Sequence, residues 1–238
     1  VRQVFNARYG KIQLILPFFF TGGFVLCAEK VQYVANGSVF HKLFDNARTY
    51  PLYALIPPLL VFLGGSMWMN QFAWDGRGIK TLLLAPIRSR DILGGKLLGL
   101  VWLLLPLSLL GSLPLGFLAA SFPPHELVSG MASALFVLCV LVTVGHVFSA
   151  RFPRPLAESR AGVASIPFTL QLMSTALLLA LGALCFGVYF GLQRLHIWAP
   201  SLGFALLTGV ALLFRRGMLN SLVRDLDNCR ENLCETLS

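Results

Sequence analysis

The chain has 238 residues, of which 56% are hydrophobic and only 12% are charged, and its formal net charge is +9. One soluble core of this length cannot hide so much apolar surface, so the composition excludes an ordinary soluble protein and predicts an integral membrane protein. The basic residues lie at the ends of apolar runs, where they set the orientation of a membrane protein. The positive net charge therefore needs no nucleic-acid partner to explain it, and we predict no binding to nucleic acid.

Apolar runs long enough to cross a bilayer as helices occur six times along the chain. None of them alternates apolar with polar residues, as the strands of a membrane barrel do. The six predicted spans cover residues 12–28, 51–69, 97–119, 129–150, 166–191 and 197–214. The sequence thus predicts an all-α fold with a six-helix transmembrane domain over residues 1–214, followed by a cytoplasmic tail over residues 215–238.

The first and fifth spans need separate interpretation. We expect the first to be retained rather than cleaved as a signal, because Leu26 is too large for the position three residues before a cut after Ala28. The fifth run is longer than one untilted span requires, so it begins either as helix or as a short interfacial or re-entrant piece near Pro167. Since the first residue is Val1, we expect the chain to be a fragment or to have lost an upstream portion.

Lys and Arg residues are distributed unevenly between the two sides of this arrangement. With both termini in the cytoplasm, the inner segments carry 15 of the 19 Lys and Arg residues and the outer segments carry four. Positive residues accumulate on the cytoplasmic side of membrane proteins. The count therefore predicts that both termini are cytoplasmic.

The predicted spans contain no Asp, Glu, Lys or Arg. Ion-coupled transporters and intramembrane enzymes place ionisable groups at depth, so we predict neither, and we assign no catalytic, cofactor or metal residue. His146, near the inner end of the fourth span, is interpreted as a hydrogen-bonded packing residue, with a ligand or proton relay as the alternative. The five cysteines lack metal-site spacing and are interpreted as packing residues and free thiols.

The most informative segment is a charged, glycine-containing stretch over residues 70–96, here called the basic island, between the second and third spans. Its basic residues are Arg77, Lys80, Arg88, Arg90 and Lys96. The chain has no phosphate-binding loop of the G-x-x-x-x-G-K-[ST] type, so energy for any transport must come from a separate ATPase. The basic island is the predicted place for such a soluble partner to bind.

The local pattern of the basic island is compatible with a short helix. Gly76 and Gly78 permit a turn out of the second span, and Pro86 ends the short helix. An apolar stripe at helical spacing is formed by Ile79, Leu82 and Leu83. In the next helix, Ser89 is the predicted cap and Asp91 lies in the first turn, where a negative charge is favourable.

The basic island also resembles a known family. In order, it contains an aromatic residue, Asp75-Gly76-Arg77-Gly78, a Leu-rich half-turn ending in Pro86, and residues 89–96 running into the next helix. This order is similar to that in the membrane subunits of ABC-2 type ATP-binding-cassette transporters. Residues 5–17 and residues 151–155 resemble the same family. The resemblance implies six spans with cytoplasmic ends, in a bacterial inner membrane, and it allows that this chain is the second half of a fused permease.

The resemblance implies that the protein is an exporter. It also implies that the basic island forms a coupling helix, which binds in a cleft of a nucleotide-binding subunit. The implied partners are that ATPase subunit, which would hold ATP and Mg, a second permease half that is identical or homologous, and membrane lipids. The implied coupling residues are Asp75, Gly76, Arg77, Gly78, Ile79, Leu82, Leu83, Pro86, Arg88, Arg90, Asp91 and Lys96.

Other interpretations of the same features stay open. The basic island is also compatible with an ordinary interfacial loop, and the whole chain with a membrane scaffold or assembly factor that anchors cytoplasmic partners. An intramembrane enzyme would need ionisable residues in a missing portion. The tail is either an amphipathic helix on the membrane or a partner, or a frayed extension. Glycines at positions 182, 187, 203 and 209 would let helices approach closely.

Overall fold

The computed structural model describes residues 52–63, 85–112, 124–151 and 168–228. Helices account for nearly all of these residues, and no strand occurs within these ranges. In chain order they are α1 (Leu52–Leu63), α2 (Ser89–Ser112), α3 (Pro124–Arg151), α4 (Phe168–Gln193) and α5 (Ala199–Asn228). The predicted all-helical class is therefore confirmed for the described part of the chain, whereas the first predicted span lies outside it.

Four of these helices are long and apolar enough to cross a membrane. They are α2, α5 and the stretches Pro124–Ser149 of α3 and Leu172–Gln193 of α4, and they correspond to the third to sixth predicted spans. Helix α1 covers part of the second predicted span. These helices indicate a membrane protein, while the six-span count and the cytoplasmic termini stay predictions.

The helix starts follow from local sequence. Helix α3 begins at Pro124, whose fixed φ suits a first helical position, and Glu126 in its first turn is favourable to the helix dipole. Helix α5 begins after a tight turn in which the Ala199 N–H donates to the His196 carbonyl at 3.0 Å. Helices α1 and α2 continue through their internal prolines. Pro57, Pro58 and Pro106 therefore lie within continuous helices.

Helix α3 is the centre of the bundle. It contacts each of the other four described helices, most extensively α5 and α1. Its middle part is buried around the helix: of residues 136–143, about two helical turns, all but Val140 are buried. A helix that is apolar around its whole circumference belongs in a core. The rest of the bundle is therefore built around α3.

Two interhelical contacts fix the relative directions of the helices. Near their starts, α3 and α5 are joined by Ser129 and Ser201, whose hydroxyl oxygens lie 3.1 Å apart. Near the other end of the bundle, the α5 residue Arg215 donates to the carbonyl of Leu93, in the second turn of α2. Helices α3 and α5 thus run in the same direction and α2 runs in the opposite one.

The outer faces of the bundle are strongly apolar. Trp102 and Leu206 are each 73% exposed, and Leu179 is 70% exposed. In water such a surface would be costly, but these residues lie within helices long enough to span a bilayer, where lipid covers them. The exposed apolar faces of α2, α4 and α5 are therefore expected to contact lipid.

A side chain of a neighbouring helix packs tightly against Gly203. A Cβ atom at this position would overlap the Leu192 side chain of α4, whereas at Gly182, Gly187 and Gly209 it would meet no atom within 4 Å. The close approach expected of these glycines is found only at Gly203, between α4 and α5 of one chain.

Candidate functional site

One end of the bundle carries most of the described positive charge. Seven of the eight described Lys and Arg residues lie where α2 begins, where α3 ends or along the last part of α5, and the exception is Arg194. The contacts between Arg215 and Leu93 bring the start of α2 and the end of α5 together here. We call this region the basic end.

The basic island enters α2 through a three-residue turn. Pro86 is its central residue, and the Ile87 N–H donates to the Ala85 carbonyl at 2.7 Å. Proline disfavours helix in the residue before it, which suits a turn at this place, while the short helix predicted to end at Pro86 lies outside the described residues. Helix α2 then begins at Ser89, so the last eight residues of the basic island, 89–96, are helical.

The described coupling residues lie on the outside of the basic end. Pro86, Arg88, Arg90 and Asp91 are exposed, and Lys96 is half-buried. The remaining predicted coupling residues lie outside the described part of the chain: they are Asp75, Gly76, Arg77, Gly78, Ile79, Leu82 and Leu83. The exposed residues form a polar surface that another protein can reach.

Ser89 behaves differently from the predicted helix cap. The first turn of α2 is closed by the Arg88 carbonyl, which accepts the Asp91 N–H at 2.8 Å. The Ser89 hydroxyl instead donates to a carboxylate oxygen of Asp227, near the end of α5. A capping hydroxyl accepts from the backbone of its own helix, but Ser89 is already inside α2 and makes a long-range contact.

Asp227 and Arg215 are the residues of the basic end that the sequence interpretation missed. Both fall in the predicted tail, yet they lie in α5, which continues without a break to Asn228. The spacing of the sequence could have indicated that Arg215 is buried. Ser201, Phe204 and Thr208 are buried and recur at helical spacing, and Arg215 lies on the same helix face. No comparable signal pairs Asp227 with Ser89.

Arg215 is buried and only partly hydrogen-bonded. It is 6% exposed, and its Nη2 atom donates to the Leu93 carbonyl at 2.9 Å. Its Nη1 atom is buried without a hydrogen-bond partner in the described structure. A buried guanidinium without a carboxylate costs free energy, so this part of the bundle is less well satisfied than its core.

His146 is the second unsatisfied group near the basic end. It has no solvent exposure, and neither ring nitrogen has a hydrogen-bond partner within the described part of the chain. The positive charges of Arg215 and Lys96 are close enough to act on it electrostatically. The predicted packing role agrees with its burial, but the hydrogen bond expected of it is not found.

Buried hydroxyl groups elsewhere in the bundle are satisfied within their own helices. Thr143 and Thr208 each donate to the carbonyl four residues earlier, at 2.7 and 2.8 Å. Ser129 donates in the same way to His125, so Ser201 supplies the proton in the contact between these two serines. This local bonding is how polar side chains are accommodated in apolar helices.

Histidines and cysteines do not gather into a metal site in the ranges that the structure covers. No group of three His, Cys, Asp or Glu residues is placed there to hold a metal ion. His125 instead lies edge-on to the Trp198 ring, with centroids 6.2 Å apart, and the buried Cys139 and Cys185 are free thiols. These groups act as packing residues.

The described residues thus define a bundle of apolar helices with a polar, basic end. Comparisons of the chain with protein families, with curated proteins and with solved structures found no match. The function is therefore argued from the residues and their arrangement.

Proposed function

We propose that this chain is the membrane subunit of an ABC-2 type ATP-binding-cassette transporter of a bacterial inner membrane. It would act as an exporter, pair with an identical or homologous permease half, and be driven by a separate ATPase subunit that holds ATP and Mg. The observation that carries the proposal is the residue order of the basic island, which resembles this family and leads directly into α2.

The exposure of the described coupling residues supports docking of a soluble partner. Arg90 and Asp91 lie in the first turn of α2 and Arg88 directly precedes it, and all three are exposed. Arginine is enriched in protein interfaces because its planar guanidinium makes several directed hydrogen bonds. The surface next to the Pro86 turn is thus chemically suited to contact a folded ATPase.

The position of α2 supports transmission of movement into the bundle. Helix α2 begins within the basic island, at Ser89, and contacts α1, α3 and α5. A displacement of the basic island by closure of the ATPase would therefore move α2 against its neighbours. Packed helices respond to such a push by small rigid shifts, because a dense core deforms little.

The charge distribution supports a cytoplasmic location of the basic end. Lys and Arg concentrate in cytoplasmic segments, and this end holds all but one of the described basic residues. ATP and the ATPase are found on that side of the membrane. The ATPase and the basic island would therefore meet in the same compartment.

Co-purification with a cassette ATPase encoded by an adjacent reading frame tests the proposal. Replacing Leu82 and Leu83 together by Asp should abolish association without preventing membrane insertion, because charge would disrupt the apolar stripe of the predicted coupling helix. A matched control is Leu195→Asp, an exposed leucine in the turn between α4 and α5 at the opposite end, which should leave association unchanged.

Association and ATP hydrolysis should be measured on the same samples. We expect the complex with the unmodified chain to hydrolyse ATP at a rate different from that of the free ATPase, since the two subunits would work as a unit. Unchanged complex yield with the Leu82 and Leu83 replacements would contradict the coupling assignment. Association with no effect on hydrolysis would favour the scaffold.

A further inference from the structure

The last part of α5 reaches well beyond its apolar run. Residues 215–228, here called the α5 extension, continue the same helix after Phe214. At about 1.5 Å per residue, Asp227 lies roughly 20 Å beyond Phe214 along the helix axis. The headgroup layer of one leaflet is only about 6 Å thick. In a helix that crosses the bilayer at ordinary tilt, the end of the α5 extension lies in the aqueous phase.

The α5 extension is attached to the start of α2. The Ser89 hydroxyl donates to Asp227, and Arg215 donates to the Leu93 carbonyl. Leu222 and Leu226, which share one helix face, are 3% and 1% exposed. Leu222 and Leu226 therefore pack within this chain, and the α5 extension is helical as far as Asn228.

Both hydrogen bonds join α2 at residues that precede a pair of glycines in this helix. Gly94 and Gly95 follow Leu93 directly, and no atom lies within 4 Å of the position that a Cβ would take at either residue. Adjacent glycines lower the stiffness of a helix, because they have no side chains to restrict the backbone and none to pack. Without other support, α2 would bend there when its first turn is pushed.

We propose that the α5 extension is a brace that carries force from the part of the basic island before α2 directly into α5, without passing through Gly94 and Gly95. Ser89, Asp227 and Arg215 are then positioning residues: they hold the first turns of α2 in a fixed orientation for the docked ATPase. This inference rests on the proposed coupling function. It adds that a push on the basic island moves α2 and α5 together, because the brace joins them before the glycines.

Substitutions at the brace separate positioning from binding. Asp227→Ala and Ser89→Ala should each lower ATP hydrolysis by the reconstituted complex at least threefold, while the amount of ATPase bound stays the same. The double variant should be no worse than either single one, because both remove the same contact. The conservative changes Asp227→Asn and Ser89→Thr should retain activity, since an acceptor and a hydroxyl are kept.

A second-site change tests the reason for the brace. Replacing Gly94 and Gly95 by Ala stiffens α2 without steric conflict, because both positions have open space. Added to Asp227→Ala, it should restore most of the lost hydrolysis. Asn220→Ala, an exposed change on the same helix, is the matched control and should have no effect. Full activity of Asp227→Ala, or no rescue by the alanines, would overturn the proposal.

Disulfide trapping tests the geometry without the ATPase. In a chain whose five native cysteines are replaced by Ser, Ser89→Cys combined with Asp227→Cys should cross-link under mild oxidation, and Ser89→Cys combined with Asn220→Cys should not. No cross-link in the first pair would overturn the brace itself. A cross-link in a chain that neither binds nor stimulates the ATPase would instead overturn the proposed function, and with it the task assigned to the brace.

Discussion

Replacing His146 by Leu should stabilise the protein. The imidazole is fully buried, and neither nitrogen has a hydrogen-bond partner in the part of the chain that the structure describes. Whatever its protonation state, an imidazole has at least one N–H that loses its hydrogen bond to water on burial. Leucine has a similar volume and no polar atom, so the substitution removes the unsatisfied group and keeps the space filled.

The expected gain follows from the cost of an unsatisfied buried group. That cost is about 1–3 kcal/mol, and an imperfect fit of the new side chain offsets part of it, which leaves a net stabilisation of about 1–2 kcal/mol. For a chain of this size, 1 kcal/mol corresponds to roughly 2–4 °C in the midpoint of thermal unfolding. The purified protein in detergent should therefore unfold about 2–8 °C higher.

Thermal unfolding followed by intrinsic fluorescence gives the midpoint, and Leu141→Ala is the control. Leu141 is fully buried in the same helix, and its truncation should lower stability by about 2–5 kcal/mol. A lower midpoint for His146→Leu would refute the reasoning, because it would mean that the imidazole gains more from its surroundings than it loses. A higher midpoint with impaired ATP hydrolysis would assign His146 a functional role.

Two further substitutions test the packing of α5 and its surroundings. Gly209→Ala should raise stability by about 0.5–1 kcal/mol. Gly203→Ala should raise it less or lower it, because the new Cβ must displace the Leu192 side chain. Thermal midpoints compare the two variants, and equal effects would contradict the contact. Leu206→Lys should reduce membrane-inserted yield, because a lysine at the centre of a spanning helix costs about 2.5–3.5 kcal/mol. Asn220→Lys, beyond the apolar run, should not, and normal yield of both would show that this α5 face is not in lipid.

The helices themselves were predictable because each needs a long apolar run. The predicted spans 129–150 and 166–191 differ from α3 and α4 by only a few residues at each end. The start of α2 near Ser89 was predictable for a local reason, namely the polar Ser-Arg-Asp sequence after a proline. Such signals depend on neighbours in sequence, which a single chain contains in full.

The basic end was only partly predictable. The sequence assigned residues 215–228 to a tail and left open whether they form an amphipathic helix, since burial of Leu222 and Leu226 depends on what lies beside them. The contact between Ser89 and Asp227 joins residues that are 138 positions apart. Hydrogen bonds of this kind depend on the packing of whole helices, and no periodicity or local motif encodes them.

The polar groups of the bundle are satisfied in different ways along its length, and the difference bears on where it can move. In the middle, buried hydroxyls bond within their own helices and α3 is packed on all sides. At the basic end, His146 and the Nη1 atom of Arg215 are unpaired in the described structure. Because unsatisfied buried groups cost free energy, we expect the helices to shift at the basic end before they shift in the middle of the bundle. A partner acting on the basic island would then move the least costly part of the bundle.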